Sequence, residues 1–305
     1  MQSIDWTDYQ AFLAVARTGQ LTRAAAMIKV DPTTISRRLR RLEARLGLTL
    51  FEQTREGQVL TEVGEAVLVE VEAMDISATK ISESSASGTG LTGTIRVSCS
   101  EGLGSWFIAP RLTSFFDRCP SIALDLVANS GFLSPSKREA DLAIVLSRPR
   151  AGAVIASKVT DYTLRLYAAK NYSAEGGLPC TVDELLRGHR LVGYIPDLIY
   201  APELNYLGEV SPQLQANLRS SSINAQHRLI ASGAGIGVLP CFMGGADPAL
   251  VPLLPQYRIT RSFWIVTHKD THQLARIRAF KSWLVDQFRS GGRELFPPIL
   301  QVPTS

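Results

Sequence analysis

LTRAAAMIKVDPTTISRRLR, residues 21–40, decides how this 305-residue chain is read. Leu21 to Ile28 predicts a short helix, and Ala24 and Ala25 are small enough to let a neighbouring helix approach closely. Lys29-Val30 makes a turn. Asp31 is a good N-cap and Pro32 a good first helical residue, so a second helix starts there and runs to about Leu46, where Gly47 stops it. Its apolar side is Ile35, Leu39, Leu42 and Leu46; the other side carries Thr33, Thr34, Ser36, Arg37, Arg40 and Arg41. Two short helices, a tight turn, and hydroxyls and arginines near the start of the second describe a helix-turn-helix. Such a helix fits the major groove of DNA, and arginine forks match phosphate or the O6/N7 edge of guanine. The competing reading of the same helix is a basic face that meets only solvent. For Asp31, capping is preferred over a contact to cytosine N4.

The flanks extend the pattern. Asp5 to Arg17 predicts a preceding helix, with Asp5 as cap and Asp8 where a capping-box acid would sit. Tyr9, Phe12, Leu13 and Ala16 form its apolar stripe, and Gly19 ends it. After the basic helix come an apolar run, Leu48 to Phe51, a polar stretch containing Gly57, and then Val59-Leu60; this reads as a small β-hairpin, a wing.

Taken in order, Leu21-Thr22-Arg23-Ala24-Ala25, Thr34 to Glu43, Leu46 to Phe51, Gly57, and Leu60-Thr61-Glu62-Val63-Gly64 resemble the signature of the LysR-type transcriptional regulators across essentially all of residues 4–64. The resemblance places the family's motif on Leu21 to Arg40, with the recognition helix starting at Pro32. On that reading Thr33, Thr34, Ser36 and Arg37 approach base edges or adjacent phosphates, and Arg40, Arg41 and Arg55 contact phosphates. Two departures stand out. The wing has Gln53 and Glu56 where the family tends to carry arginine, which should weaken backbone affinity. The turn reads Val30-Asp31-Pro32, which keeps the cap but changes what the helix tip offers a base.

Charge changes sign beyond the wing. Arg37 to Arg45 holds five arginines and one acid, whereas Thr61 to Ser87 holds six acids and one base, Lys80. The acidic stretch predicts one long helix, roughly 40 Å, too negative to lie on phosphates. Val67, Val71, Met74, Ala78 and Ile81 follow a heptad seam, to be weighed against a helix packed on its own domain. The resemblance implies a linker helix that pairs two subunits, so that two recognition helices can reach half-sites about one turn apart. Gly88, Gly90 and Gly93 mark a hinge.

From Thr94 strands alternate with helices, which argues for an α/β fold with parallel sheets. Strands are expected around Ile95–Cys99, Ile122–Leu126, Ala140–Leu146, Leu164–Ala168, Arg190–Tyr194, Leu214–Arg219, Ile236–Leu239 and Ser262–Thr267. Helices are expected over Leu103–Phe116, Thr181–Leu186, Asn224–Ser232 and Gln273–Phe288. The length suits two small sheets, and the resemblance implies two Rossmann-like subdomains similar to periplasmic binding proteins, crossed near Asp161 and again near Arg261. The organisation expected is therefore a winged helix-turn-helix domain at 1–60, a dimerisation helix and hinge at 61–92, and an effector-binding domain at 93–305. That domain would comprise subdomain I at 93–161 and 262–305 and subdomain II at 162–261. A ligand belongs in the cleft at strand carboxyl ends: Ser100, Glu101, Gly102, Asn129 and Ser130 from one side, Tyr194, Ser221 and Ser222 from the other. Hydroxyls and free helix N–H groups suit a small anion; the same serines equally serve as caps. Glu101 complicates the anion, since it either faces solvent or selects a cationic ligand.

Other chemistry finds little support. Gly102-Leu103-Gly104 with Asp125 imitates a dinucleotide fingerprint, but Phe107 stands at the third glycine. His268 and His272 straddle a predicted strand end, so no metal is expected. No G-x-S-x-G occurs, and no cofactor or enzymatic activity is expected. His189 and His227 read as surface or cap residues. Some members of the resembled family sense oxidants through cysteine; here Cys99 and Cys241 read as buried structural thiols. The 45% hydrophobic and 20% charged composition is that of a globular chain, without a visible secretory signal or membrane span, and the cytoplasm is the natural compartment. The expected partners are double-stranded DNA, a small-molecule effector, a second copy (a dimer, with a tetramer as the resembled family's common assembly), and RNA polymerase if the protein activates. The rival class is a small-molecule-binding protein or enzyme with a non-specific basic arm.

Overall fold

The computed structural model describes residues 5–55, 57–85, 91–129, 131, 133–135, 139–149, 152–173 and 177–295. The chain separates into two compact units, 1–89 and 90–305. Glu56, Gly88, Gly90 and Ser130 lie outside the described residues.

In the first unit, α1 (Trp6–Thr18), α2 (Leu21–Ile28) and α3 (Pro32–Leu46) precede an antiparallel hairpin, β1 (Phe51–Gln53) and β2 (Gln58–Leu60), and a long helix, α4 (Glu62–Ser85). Asp5 caps α1 through Thr7 N–H at 3.0 Å, and Asp31 caps α3 through Thr33 N–H at 2.8 Å. Phe12, Ile35, Leu39, Leu42, Leu50 and Phe51 form one buried cluster, the apolar stripes of α1 and α3 meeting beneath the hairpin. Glu43 of α3 ties the hairpin down, accepting from Leu50 N–H at 2.7 Å.

Two expectations are corrected here. Asp8 is not a capping-box acid. Its side chain is fully buried and takes the Arg41 fork, with Arg41 Nε–H donating to Oδ2 at 2.8 Å and a second N–H to Oδ1, while Arg45 approaches at 3.8 Å. A buried carboxylate is stable only when paired, and the basic helix supplies the pair. The heptad seam also divides. Val67 and Val71 pack into the unit's own core, whereas Met74 is 44% and Ile81 68% exposed. An Arg17–Asp75 ion pair at 3.2 Å links α1 to α4.

The second unit is a nine-stranded mixed sheet covered by helices. Its strands are β3 (Gly93–Ser100), β4 (Ile122–Asn129), β5 (Leu142–Val145), β6 (Val154–Ala169), β7 (Leu191–Gly193), β8 (Leu218–Arg219), β9 (Ile236–Pro240), β10 (Leu250–Leu253) and β11 (Ile259–His268). The order is β4-β3-β5-β11-β6-β9-β7-β8, with β10 also on β6. β3 runs parallel to β4 and β5, and β7 runs parallel to β8 and β9. The intervening helices are α5 (Glu101–Leu103), α6 (Leu112–Phe116), α7 (Val182–Leu186), α8 (Tyr206–Val210), α9 (Ile223–Ala231), α10 (Cys241–Gly244), α11 (Ala275–Ser290) and α12 (Gly292–Leu295).

The two parallel groups are not separate sheets. β6 and β11 are long enough to serve both, so hydrogen bonding continues from one group to the other. Their antiparallel register pairs Tyr162 with Arg261 and Asp161 with Ser262. The predicted strand at Leu214–Arg219 shrinks to Leu218–Arg219. The helix expected from Leu103 begins instead at Glu101 and passes through a π-helical turn, Gly104–Ile108, and a 3-10 turn, Ala109–Arg111, before α6. Among the described residues no helix is long and apolar enough to cross a membrane.

Candidate nucleic-acid interface and ligand cleft

The α3 helix sorts its polar residues into three kinds. Thr33 is exposed, but its hydroxyl donates to Asp31 Oδ1 at 2.6 Å and so belongs to the cap. The Asp31 carboxyl is held below its ordinary range by the Thr33 hydroxyl and N–H. Thr34 and Ser36 are half-buried. Arg37 and Arg40 are exposed, and among the described residues no carboxylate forms a salt bridge with either. Arg41 differs, because Asp8 holds its fork. Arg55 is exposed on the hairpin turn. The helix thus presents two open guanidinium groups one turn after a capped N-terminus, beside a small wing.

In the second unit, β3 ends at Ser100 and delivers Glu101 to the N-terminus of α9. Ser222 Oγ–H donates to Glu101 Oε1 at 2.8 Å, Ile223 N–H to Oε2 at 3.0 Å, and Asn224 Nδ2–H to Oε1 at 3.0 Å. Asn224 also accepts from Trp106 Nε1–H at 2.8 Å. The expected anion position therefore exists, but the chain's own carboxylate fills it. That overturns the picture of free helix N–H groups. The physical reason is the usual one for a helix N-terminus: unsatisfied N–H groups and the positive dipole end draw in a carboxylate.

Ser100, Glu101, Gly102, Tyr194 and Ser221 line one small cavity of about 20 Å³, room for about one water. Ser222 stands behind it, capping α9 by accepting from Ala225 N–H at 3.1 Å. Asn129 is exposed, accepts from Gly131 N–H at 3.2 Å in a local turn, and does not line the cavity. Sequence reading missed the aromatic part of the lining, Tyr162, Tyr200, Tyr206, Phe242 and Phe263, and an aliphatic part that includes Leu146, Leu204 and Pro240. The rings come from distant stretches of chain: Tyr162 and Phe263 from strands, where a single aromatic looks like core, Tyr206 and Phe242 from short helices, and Tyr200 from a loop. A larger cavity of about 750 Å³ lies alongside, sharing Tyr194, Tyr200, Leu204 and Tyr206.

His227 also departs from expectation. It is buried rather than superficial, packed at a tilt against Trp106 with ring centroids 4.5 Å apart, and Nε2 lies 3.1 Å from Asp247. Burial lowers its pKa, and Asp247 opposes that shift. Cys99 and Cys241 are buried, and burial pushes the Cys99 thiol up to about 12 and raises Cys241 as well. Cys180 is exposed. Brief treatment of the folded protein with N-ethylmaleimide at neutral pH should modify Cys180 and leave Cys99 and Cys241 as thiols, read by peptide mass spectrometry. Early labelling of Cys99 would contradict the burial described here.

A winged helix-turn-helix followed by a long helix, in a chain whose second unit is a ligand-binding type of α/β fold, defines a class of ligand-responsive DNA-binding proteins. Residues 6–65 match the bacterial regulatory helix-turn-helix protein, lysR family, and residues 88–289 match the LysR substrate binding domain. The chain belongs to the LysR family of DNA-binding transcriptional regulators, with a C-terminal effector-binding domain. It is 27% identical over 289 residues to the Mau operon transcriptional activator of Paracoccus denitrificans, covering 93% of this chain and 97% of that protein. The solved structure of CrgA, a LysR-type transcriptional regulator from Neisseria meningitidis, matches with a TM-score of 0.58 at 25% identity, over 92% of this chain and 98% of that one. A full-length OxyR variant from Pseudomonas aeruginosa shares the fold, with a TM-score of 0.67 at 18% identity over 94% and 98% of the two chains.

Proposed function

We propose that two chains bind a dyad-symmetric operator, each placing α3 in the major groove. The observation that carries this is the pair of exposed arginines on α3, Arg37 and Arg40, with no salt bridge to either among the described residues. Arg37, Thr34 and Ser36 face base edges or the adjacent phosphates; Thr33 does so from within the cap. Arg40 and Arg55 hold phosphates. Arg41 adds to that field while its fork remains on Asp8. The exposed Met74 and Ile81 of α4 support pairing of two copies through that helix, within a 61–92 linker between a DNA-binding domain at 1–60 and an effector domain at 93–305. A tetramer fits the same plan, and contact with RNA polymerase follows if the chain activates, as the Paracoccus relative is named for doing. The protein acts on DNA in the cytoplasm as a regulator and not as an enzyme.

In the effector domain, subdomains I (93–161 and 262–305) and II (162–261) close on a small molecule near Glu101, and the change in closure alters the spacing of the DNA-binding units. The test is a gel shift with DNA flanking the protein's own gene, with salt titration and unlabelled competitor. Saturable, sequence-selective binding that weakens steeply with salt is the expected result. Binding that is weak, non-selective and equally well competed by any duplex would favour a basic arm on a small-molecule-binding protein.

A further inference from the structure

The cleft cavity has one formal charge and a wall of rings. Among the described residues Glu101 is its only carboxylate, and its lining contains no lysine, arginine or histidine. The three groups that hydrogen-bond Glu101 are a hydroxyl, a backbone N–H and a side-chain amide, all neutral. Arg261, which bears on the neighbouring phenols, is turned away, donating to the Glu203 carbonyl at 3.1 Å and pairing with Glu209. Among the described residues the negative charge therefore has no cationic partner within the cavity.

Several of the rings around that charge pair with one another. Tyr162 stacks on Phe263 at 4.1 Å between centroids, and Tyr194 meets Tyr206 edge-on at 6.0 Å. Burial pushes the Tyr200 hydroxyl up to about 12, reinforced by the charge on Glu101, and raises Tyr194 in the same way. These phenols keep their protons at neutral pH, so their rings are neutral π faces. Ring faces attract a cation, and desolvation strengthens the attraction. An anion entering here would meet Glu101 at short range in a partly dry site, with its natural seat on α9 already taken.

We propose that the effector is a small organic cation, an amine or alkylammonium, whose charged head sits among Tyr162, Tyr194, Tyr200 and Tyr206 against Glu101. This rests on the reading of the cleft as the effector site and adds the chemical class. The present cavity holds about one water, so the head enters by displacing the tyrosine wall shared with the larger cavity. The remainder of the ligand occupies that larger cavity, whose 750 Å³ suits a small molecule and whose lining includes Gln215, Gln226 and Arg219, so that end of the ligand is uncharged or carries an acceptor for the arginine.

The probes are benzyltrimethylammonium and, as the anionic counterpart of similar size, benzoate. Both are titrated into the full-length protein by calorimetry at constant ionic strength. The expected result is saturable binding of the cation and none of benzoate. Glu101→Gln should weaken cation binding by at least about tenfold, because it removes the buried countercharge. Should that variant disturb the α9 contact, Tyr200 gives an independent test: Tyr200→Phe keeps the ring and the affinity, whereas Tyr200→Leu loses several-fold. Binding of benzoate in preference to the cation, binding of neither probe, or cation affinity unchanged in Glu101→Gln and Tyr200→Leu would each overturn the proposal. Gel shifts on the same preparations separate the two levels. Selective DNA binding without cation binding leaves the regulator and removes the ligand class; loss of selective DNA binding removes the reading on which it rests.

Discussion

Replacing Arg37 with alanine should lower operator affinity by about ten- to a hundredfold, the range of one specific arginine contact, while leaving the fold intact. The guanidinium is exposed, and among the described residues it has no salt bridge whose loss would disturb the domain. It stands on the second turn of α3, whose N-terminus is fixed by Asp31 and whose apolar side is locked by Ile35, Leu39 and Leu42. The salt dependence tells which contact is made. Loss of one phosphate contact reduces the slope of log affinity against log salt by about 0.9, uniformly across sequences. Loss of a base contact leaves that slope nearly unchanged and relaxes selectivity at one position. Unchanged affinity together with an unchanged slope would remove Arg37 from the interface. Arg41→Ala is the instructive contrast. It strips the fork from the fully buried Asp8, so its first effect is on thermal stability, and any loss of DNA binding follows from that.

The contrast also marks how far the sequence could be read. Short-range chemistry was legible: Asp31-Pro32 fixes a helix start because a cap and a constrained φ act within two residues. The Asp8–Arg41 pair was not, because a carboxylate near a helix start has a local role available, and only the packing of α1 on α3 reveals the remote one. The cleft shows the same limit. Of the eight residues that strand ends and the start of α9 suggest, Ser100, Glu101, Gly102, Tyr194 and Ser221 line one cavity and Ser222 bonds Glu101 beside it, whereas Asn129 turns away and Ser130 lies outside the described residues. It could not see that Glu101 sits on α9, some 120 positions along the chain. Nor could it find the tyrosine wall, since Tyr162 and Tyr206 fall outside every element that the periodicity marks and are far apart in the chain. The heptad seam divides between its two readings for a related reason. A spacing of three and four describes any helix face against any apolar surface, and the first half of that face in α4 meets its own unit rather than a partner.

The second large effect belongs to the junction of the wing and α4. Gly64→Ala should destabilise the first unit by about 3 kcal/mol or more, at or above the upper end for overpacking. An added Cβ at Gly64 would lie 2.1 Å from the Leu50 carbonyl oxygen. That oxygen cannot easily move. It accepts from Thr61 N–H at 3.0 Å, and the N–H of the same residue is bound to Glu43 at 2.7 Å. Relieving the clash therefore means pulling the hairpin from α3 or lifting the first turn of α4, where Gly64 N–H donates to the Thr61 hydroxyl at 2.9 Å. Gly47→Ala provides the internal comparison. Gly47 has φ of +66° but no atom within 4 Å of an added Cβ, so alanine there costs only the left-handed backbone penalty, about 1–2 kcal/mol. Calorimetry of the full chain should show the first unit melting lower in both variants, with Gly64→Ala clearly the worse and operator binding weakened alongside. Equal shifts, or a tolerated Gly64→Ala, would mean that the wing is free to give way, and that α3 is positioned by the helical core alone.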